Sequence, residues 1–156
     1  MRSARILIFF LVAAALAAPA LRAQREKLPP EDLAWVQKNF PQAKKTSTGI
    51  RYVIQREGAG DSPKPGEHVS VLYSGRLISG KIFDQNNDKD HPFEFRVARD
   101  QVIQGWDQVL QLMKRGEQRL VIIPPELAYG TRGQSPSIGR NATLVFLIEL
   151  LDFKAN

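Results

Sequence analysis

The stretch V-I-Q-G-W-D-Q-V-L-Q-L-M, Val102 to Met113, is the best-patterned helix of the chain, with Ile103, Trp106, Leu110 and Met113 recurring at helical spacing. One apolar face is therefore expected to pack on a neighbouring layer. Trp106 follows Gly105 near the start of this helix. A large flat indole there either fills the core or floors a pocket. The helix alone leaves both roles open, and the segments around it bear on the choice.

Those segments alternate with the two-residue period of strands. Ile50, Tyr52 and Ile54 lie on one side of the first, and Val69, Val71 and Tyr73 on one side of the next, which G-R-L-I-S-G-K-I-F-D carries through a turn into a second arm. Phe93, Phe95 and Val97 repeat the pattern before the helix, and strands over Gln118 to Ile123 and Thr143 to Phe153 follow it. The loop Glu57 to Gly66 is rich in glycine and proline. A mostly antiparallel sheet with a single helix against one face is an α+β architecture.

The chain has 156 residues, enough for one domain with a substantial core. Its first 23 residues have the layout of a signal peptide: Arg2 and Arg5, an apolar run from Ile6 to Ala18, then small residues at Ala18 to Ala20 and Leu21 to Ala23. The run is shorter than the roughly 18 or more apolar residues of a membrane span. Cleavage after Ala23 lowers the formal charge from +6 to +3, because Arg2, Arg5 and Arg22 are the charged side chains removed. So small a charge, with no basic run longer than Lys44-Lys45, argues against a nucleic-acid footprint. An exported address, periplasmic or secreted, is expected, with no stable membrane insertion after cleavage. The absence of cysteine leaves such a protein without disulfides, thiol catalysis or thiolate metal sites.

Residues 24–48 form a short extension with one helix, opened by Pro29-Pro30 and the acidic Glu31 and Asp32 and stopped before Pro41. It is expected as an appendage, with Trp35 and Phe40 capping a neighbouring surface or mediating a weak contact.

Several chemistries fail on the residues. D-Q-N-N-D-K-D, Asp84 to Asp90, opens like a calcium loop, but Lys89 stands where glycine is needed and Phe95 where a bidentate glutamate is needed, so a solvated turn is expected. His68 and His91 have no partner at metal-ligand spacing. There is no G-x-S-x-G, and Glu57-Gly58-Ala59-Gly60 does not run into a helix that could cradle phosphate. What stands out is a density of aromatic and aliphatic residues beside a few hydrogen-bonding groups: Tyr73, Phe83-Asp84, Phe93, Val102-Ile103, Trp106, Tyr129 and Phe146.

From about Gly49 to Phe153 the chain resembles the FKBP-type peptidyl-prolyl cis-trans isomerases, through V-S-V-L-Y-S-G-R-L-I-S-G-K-I-F-D, P-F-E-F, V-I-Q-G-W-D, L-M-K-R-G-E, I-P-P-E-L-A-Y-G and N-A-T-L-V-F-L-I-E-L. The resemblance implies a five-stranded antiparallel sheet wrapped around one helix, and an isomerase domain over residues 49–156. It implies a proline pocket lined by Tyr73, Phe83, Asp84, Phe93, Val102, Ile103, Trp106, Tyr129, Ile138 and Phe146. In that pocket Trp106 is the floor, Phe83 and Phe146 are walls, and the Tyr129 hydroxyl and the Ile103 backbone N–H hold a ligand carbonyl. Lys89, Gln134 and Ser137 are expected at the substrate but depart from the family's usual residues, as does Gln101 before the helix. Lys89 in place of arginine makes a weaker tether for Asp84. These departures bear on substrate preference and macrolide affinity more than on the reaction. The implied partners are proline-containing polypeptides and macrolide inhibitors, and no cofactor is called for. The alternative is a non-catalytic peptide-binding module or chaperone using the same groove, with Trp35, Phe40 and the loop from Tyr129 to Arg140 as its contact surface.

Overall fold

In the computed structural model, which describes residues 25–155, the chain runs α1 (Pro30–Asn39), β1 (Lys44–Lys45), β2 (Arg51–Arg56), β3 (His68–Leu77), β4 (Ile82–Asn86), β5 (Phe93–Arg96), α2 (Gln104–Leu110), β6 (Gln118–Ile123), a 3₁₀ turn (Pro125–Leu127) and β7 (Leu144–Lys154). The expected leader, residues 1–23, lies outside the described residues. Every strand pair is antiparallel, in the order β1-β2-β6-β7-β3-β4, with β5 also paired to β3. The α+β fold is as expected, but the described residues hold seven strands and two helices, not five and one. Two features account for the extra strands. The pair Lys44–Lys45 extends the sheet past β2, and β4 and β5 occupy successive stretches of one edge of β3. The border expected between residues 48 and 49 falls in the turn that joins β1 to β2.

Strand alternation sorts side chains onto two faces. Val121 and Ile123 of β6 and Leu144, Phe146, Ile148 and Leu150 of β7 face the main core, where Trp106, Val109 and Leu110 of α2 meet them. Gly105 permits this approach, since a Cβ there would lie 2.6 Å from Cγ2 of Ile123. α2 is shorter than its apolar pattern suggests. Leu112 and Met113 donate to Val109 and Leu110, three residues back, so the chain tightens out of the α-helix and reverses at Gly116 (φ 78°). Met113 is nonetheless fully buried. The pattern marked burial beyond the end of the helix.

The other face of β6 and β7 presents Ile122 and Val145, which form a second core with Leu28 and Val36. Leu33, Trp35, Phe40, Ile78 and Leu120 pack around them. The extension is therefore not an appendage but the cover of the outer face. Trp35 and Phe40 meet edge to face at 5.6 Å, and Arg76 of β3 lies over the Trp35 ring. Glu26 fastens the segment through a forked pair with Arg51, at 3.0 and 2.8 Å, and this holds its carboxyl well below the usual range. No helix among the described residues is long and apolar enough to cross a membrane.

Candidate active site

The concave face of the sheet does not close completely over α2. Between them lies a cavity of about 180 Å³. β3 supplies Tyr73, β4 supplies Phe83 and Asp84, β5 supplies Phe93, and β7 supplies Phe146. Gln101, Val102 and Ile103 enter from the segment before α2, Trp106 from its first turn, and Tyr129 from just beyond the 3₁₀ turn.

The rings hold one another at right angles, the arrangement their quadrupoles favour. Trp106 meets Tyr73 at 4.9 Å and 82°, and Phe146 at 5.2 Å and 82°. Phe83 meets Phe146 at 5.6 Å and 87°. Trp106 is 4% exposed and lines the cavity, and its Nε1–H has no partner among the described protein atoms.

Two residues that the sequence reading did not single out shape this cavity. Gly75, paired across β3 and β7 with Phe146, leaves the space into which Phe83 and Phe146 lean. A Cβ there would come within 2.6 Å of the Phe146 ring and 2.8 Å of the Phe83 ring. A glycine inside a strand pattern is the available signal of such an approach. Asp107, buried beside Trp106, accepts hydrogen bonds from the backbone N–H of Ala98 at 2.7 Å and of Asp100 at 3.3 Å. It thereby pins a turn in which both residues are left-handed, with φ of 55° and 54°. Gln101 accepts from the Arg96 N–H at 2.8 Å. The segment so held presents Val102 and Ile103, and among the described residues no backbone acceptor takes the Ile103 N–H.

A second cleft of about 340 Å³ adjoins the first and shares Phe83, Asp84 and Tyr129 with it. Its other lining residues, Gln134, Ser135, Pro136, Ser137 and Ile138, all come from the β6–β7 connection. Ile138 is buried and joins the main core, while Gln134 and Ser137 are exposed. The peptide between Ser135 and Pro136 is cis. Reciprocal backbone hydrogen bonds between Gln134 and Ile138, each 2.8 Å, close the tip.

Lys89 lines neither cavity, and the tether expected between it and Asp84 is replaced by another. Asp84 accepts a hydrogen bond from the Tyr73 hydroxyl at 2.8 Å. The turn that carries Lys89 is held by its own bonds, from Asn86 to the His91 carbonyl, from Asp88 N–H to Asn86, and between His91 and Asp88. Lys89 is left exposed at its tip.

Burial first, and then the bond to Asp84, push the Tyr73 phenol up to about 12. Burial and the charge of Asp84 also raise Tyr129. Both are hydroxyl donors at neutral pH. The cavity lining holds no histidine, lysine or cysteine. What it offers is an aromatic and aliphatic lining with a few hydrogen-bonding groups.

The FKBP-type peptidyl-prolyl cis-trans isomerase model matches residues 60–151, which include every residue that lines the cavity. A probable FKBP-type peptidyl-prolyl cis-trans isomerase of Haemophilus influenzae is 44% identical over 109 residues, 70% of this chain and 44% of that protein. FK506-binding protein 1 of Dictyostelium discoideum is 42% identical over 106 residues, 68% of this chain and 99% of that one. The crystal structure of a peptidyl-prolyl cis-trans isomerase from Pseudomonas syringae superposes with a TM-score of 0.71 at 35% identity, covering 80% of this chain and 92% of that one. The chain thus spans less than half of the Haemophilus protein and nearly all of the Dictyostelium one. Fold, sequence and the matched region converge, and the chain belongs to the FKBP-type peptidyl-prolyl cis-trans isomerase family.

Proposed function

We propose that this protein accelerates rotation about X–Pro bonds in other exported polypeptides, with the aromatic cavity as its active site. The observation that carries the reading is the lining: nine side chains from four strands and two connecting segments meet around one small space, with the indole of Trp106 from α2 beneath it. A volume of about 180 Å³ is below the roughly 300 Å³ at which drug-sized pockets begin, and suits a single ring.

Rotation of an X–Pro bond must lose amide resonance, against a barrier of about 18–20 kcal/mol. In the planar amide, resonance puts negative charge on the carbonyl oxygen, and water stabilises it. With the proline ring among Tyr73, Phe83, Phe93, Val102, Trp106 and Phe146, that water is displaced. The twisted transition state, with less charge separation, loses less. The Tyr129 hydroxyl and the Ile103 N–H hold flanking carbonyls in place. Asp84 orients the Tyr73 ring through the bond they share. An acceleration of about a millionfold would require roughly 8 kcal/mol, divided between desolvation and fit.

The segment 1–23 acts as a signal peptide on this reading, and the working address is the periplasm or the exterior. Macrolides that present a ring in place of proline would compete for the same cavity. The chaperone alternative keeps a smaller contact surface, because Trp35 and Phe40 are partly buried against the outer core. The test is refolding of a protein whose slow phase is limited by a non-native prolyl bond. Catalytic amounts should shorten that phase several-fold without altering the yield. A higher yield at stoichiometric amounts, with the slow phase unchanged, would favour the chaperone.

A further inference from the structure

The β6–β7 connection, residues 124–143, carries Tyr129 and walls the second cleft, and it is held from outside itself at both ends. Near its start, Lys27 lies 3.4 Å from Glu126 in the 3₁₀ turn, and Ile122 of β6 is buried against Leu28 and Val36. At its finish, Thr143 is 2% exposed and donates from Oγ1 to Oδ2 of Asp32 in α1 at 2.5 Å. Val145, two residues on, lies in the same outer core. Within the connection, Asn141 N–H reaches the Gly130 carbonyl at 2.8 Å, so its two limbs move together. The Lys27–Glu126 pair is partly exposed and contributes little alone. The part-buried bond from Thr143 to a carboxylate is the stronger of the two restraints.

We propose that the N-terminal segment, residues 26–40, positions this connection for substrate, with Asp32 and Thr143 as positioning residues. The proposal rests on the isomerase reading for its kinetic effect but not for its structural one. α1 touches neither cavity, yet it grips the strand ends from which Tyr129 and Ile138 are suspended. Displacing such ends by a fraction of an ångström weakens the hold on bound peptide while leaving the aromatic floor and walls in place. The effect therefore falls on KM.

The experiment compares the unsubstituted protein with Thr143→Val, which keeps shape but removes the donor, Thr143→Ser, which keeps the donor, and Asp32→Asn as an independent change on the other side. KM for an X–Pro peptide should rise about three- to tenfold in Thr143→Val, with kcat within about twofold, and return toward the original value in Thr143→Ser. Amide exchange should quicken at Gln134, Ile138 and Asn141 and stay unchanged in β2 and β3. An unchanged KM with unchanged exchange in both Thr143→Val and Asp32→Asn would overturn the proposal. So would a fall in kcat with faster exchange throughout the sheet, which marks a structural role only. Were the unsubstituted protein inactive, the isomerase reading would fall, and exchange in the connection would still decide this one.

Discussion

The two cavities that share Phe83, Asp84 and Tyr129 are built in different ways. The aromatic one draws its walls from four strands and a helix, and its rings lock edge to face. The polar one owes its remaining lining to a single connection, whose backbone bonds are mostly internal. Rings packed edge to face cannot shift without opening a gap, and their support is spread over the fold. A lining carried on one connection can change its side chains without disturbing the sheet. On the proposed function, the reaction belongs to the first cavity and discrimination among residues flanking proline to the second.

The strongest challenge to that division is Gly75→Ala, which adds one carbon where Phe83 and Phe146 meet. Overpacking of this kind costs about 1–3 kcal/mol, and the forced ring movement should lower kcat/KM by about tenfold. A melting curve and a peptide assay read the two effects. Retention of full activity would show that the walls tolerate displacement and that the comparison is drawn too sharply.

A smaller effect is expected from the paired change Gln134→Leu and Ser137→Val. It should alter the ranking of peptides with different residues before proline by about two- to fivefold, as apolar contacts of this size do, while kcat for a favoured peptide holds. An equal change for all peptides would assign the second cleft to the reaction as well.

The smallest effect concerns the residue of the aromatic cavity that donates to Asp84, which both cavities share. Tyr73 should ionise near pH 12 in an absorbance titration, against an ordinary value of 10. Because its proton is held more tightly in the folded state, the stability it contributes is complete below pH 10 and disappears as pH rises through about 12. Asp84→Asn should lower that midpoint without restoring 10, since burial is the larger cause.

What could be read in advance follows the same division. The strands through Ile50 to Ile54, Val69 to Tyr73, Phe93 to Val97, Gln118 to Ile123 and Thr143 to Phe153 announced themselves because alternation is a local consequence of one-sided burial. The aromatic set was legible because its members stand in motifs. The end of α2 was not, because Met113 is buried by a turn that preserves helical spacing. Nor was the docking of α1, since Val36 and Leu28 have partners more than 80 residues away at Ile122 and Val145, and separation of that kind leaves no local trace. Lys89 is the clearest difference. The family resemblance implied a tether to Asp84, while the side-chain bonds of Asn86, Asp88 and His91 hold its turn and Lys89 lines neither cavity.

The most direct test of the aromatic cavity as the catalytic element is the cis-to-trans rate of a short X–Pro peptide, measured by magnetisation exchange with the purified protein and with Phe83→Ala. Phe83 is a half-buried wall, so its loss should leave a folded protein. The account predicts strong catalysis that falls on the order of a hundredfold in the variant, equivalent to about 2.7 kcal/mol of transition-state stabilisation. Equal rates in the two folded proteins would contradict it, and would move the reaction out of this cavity.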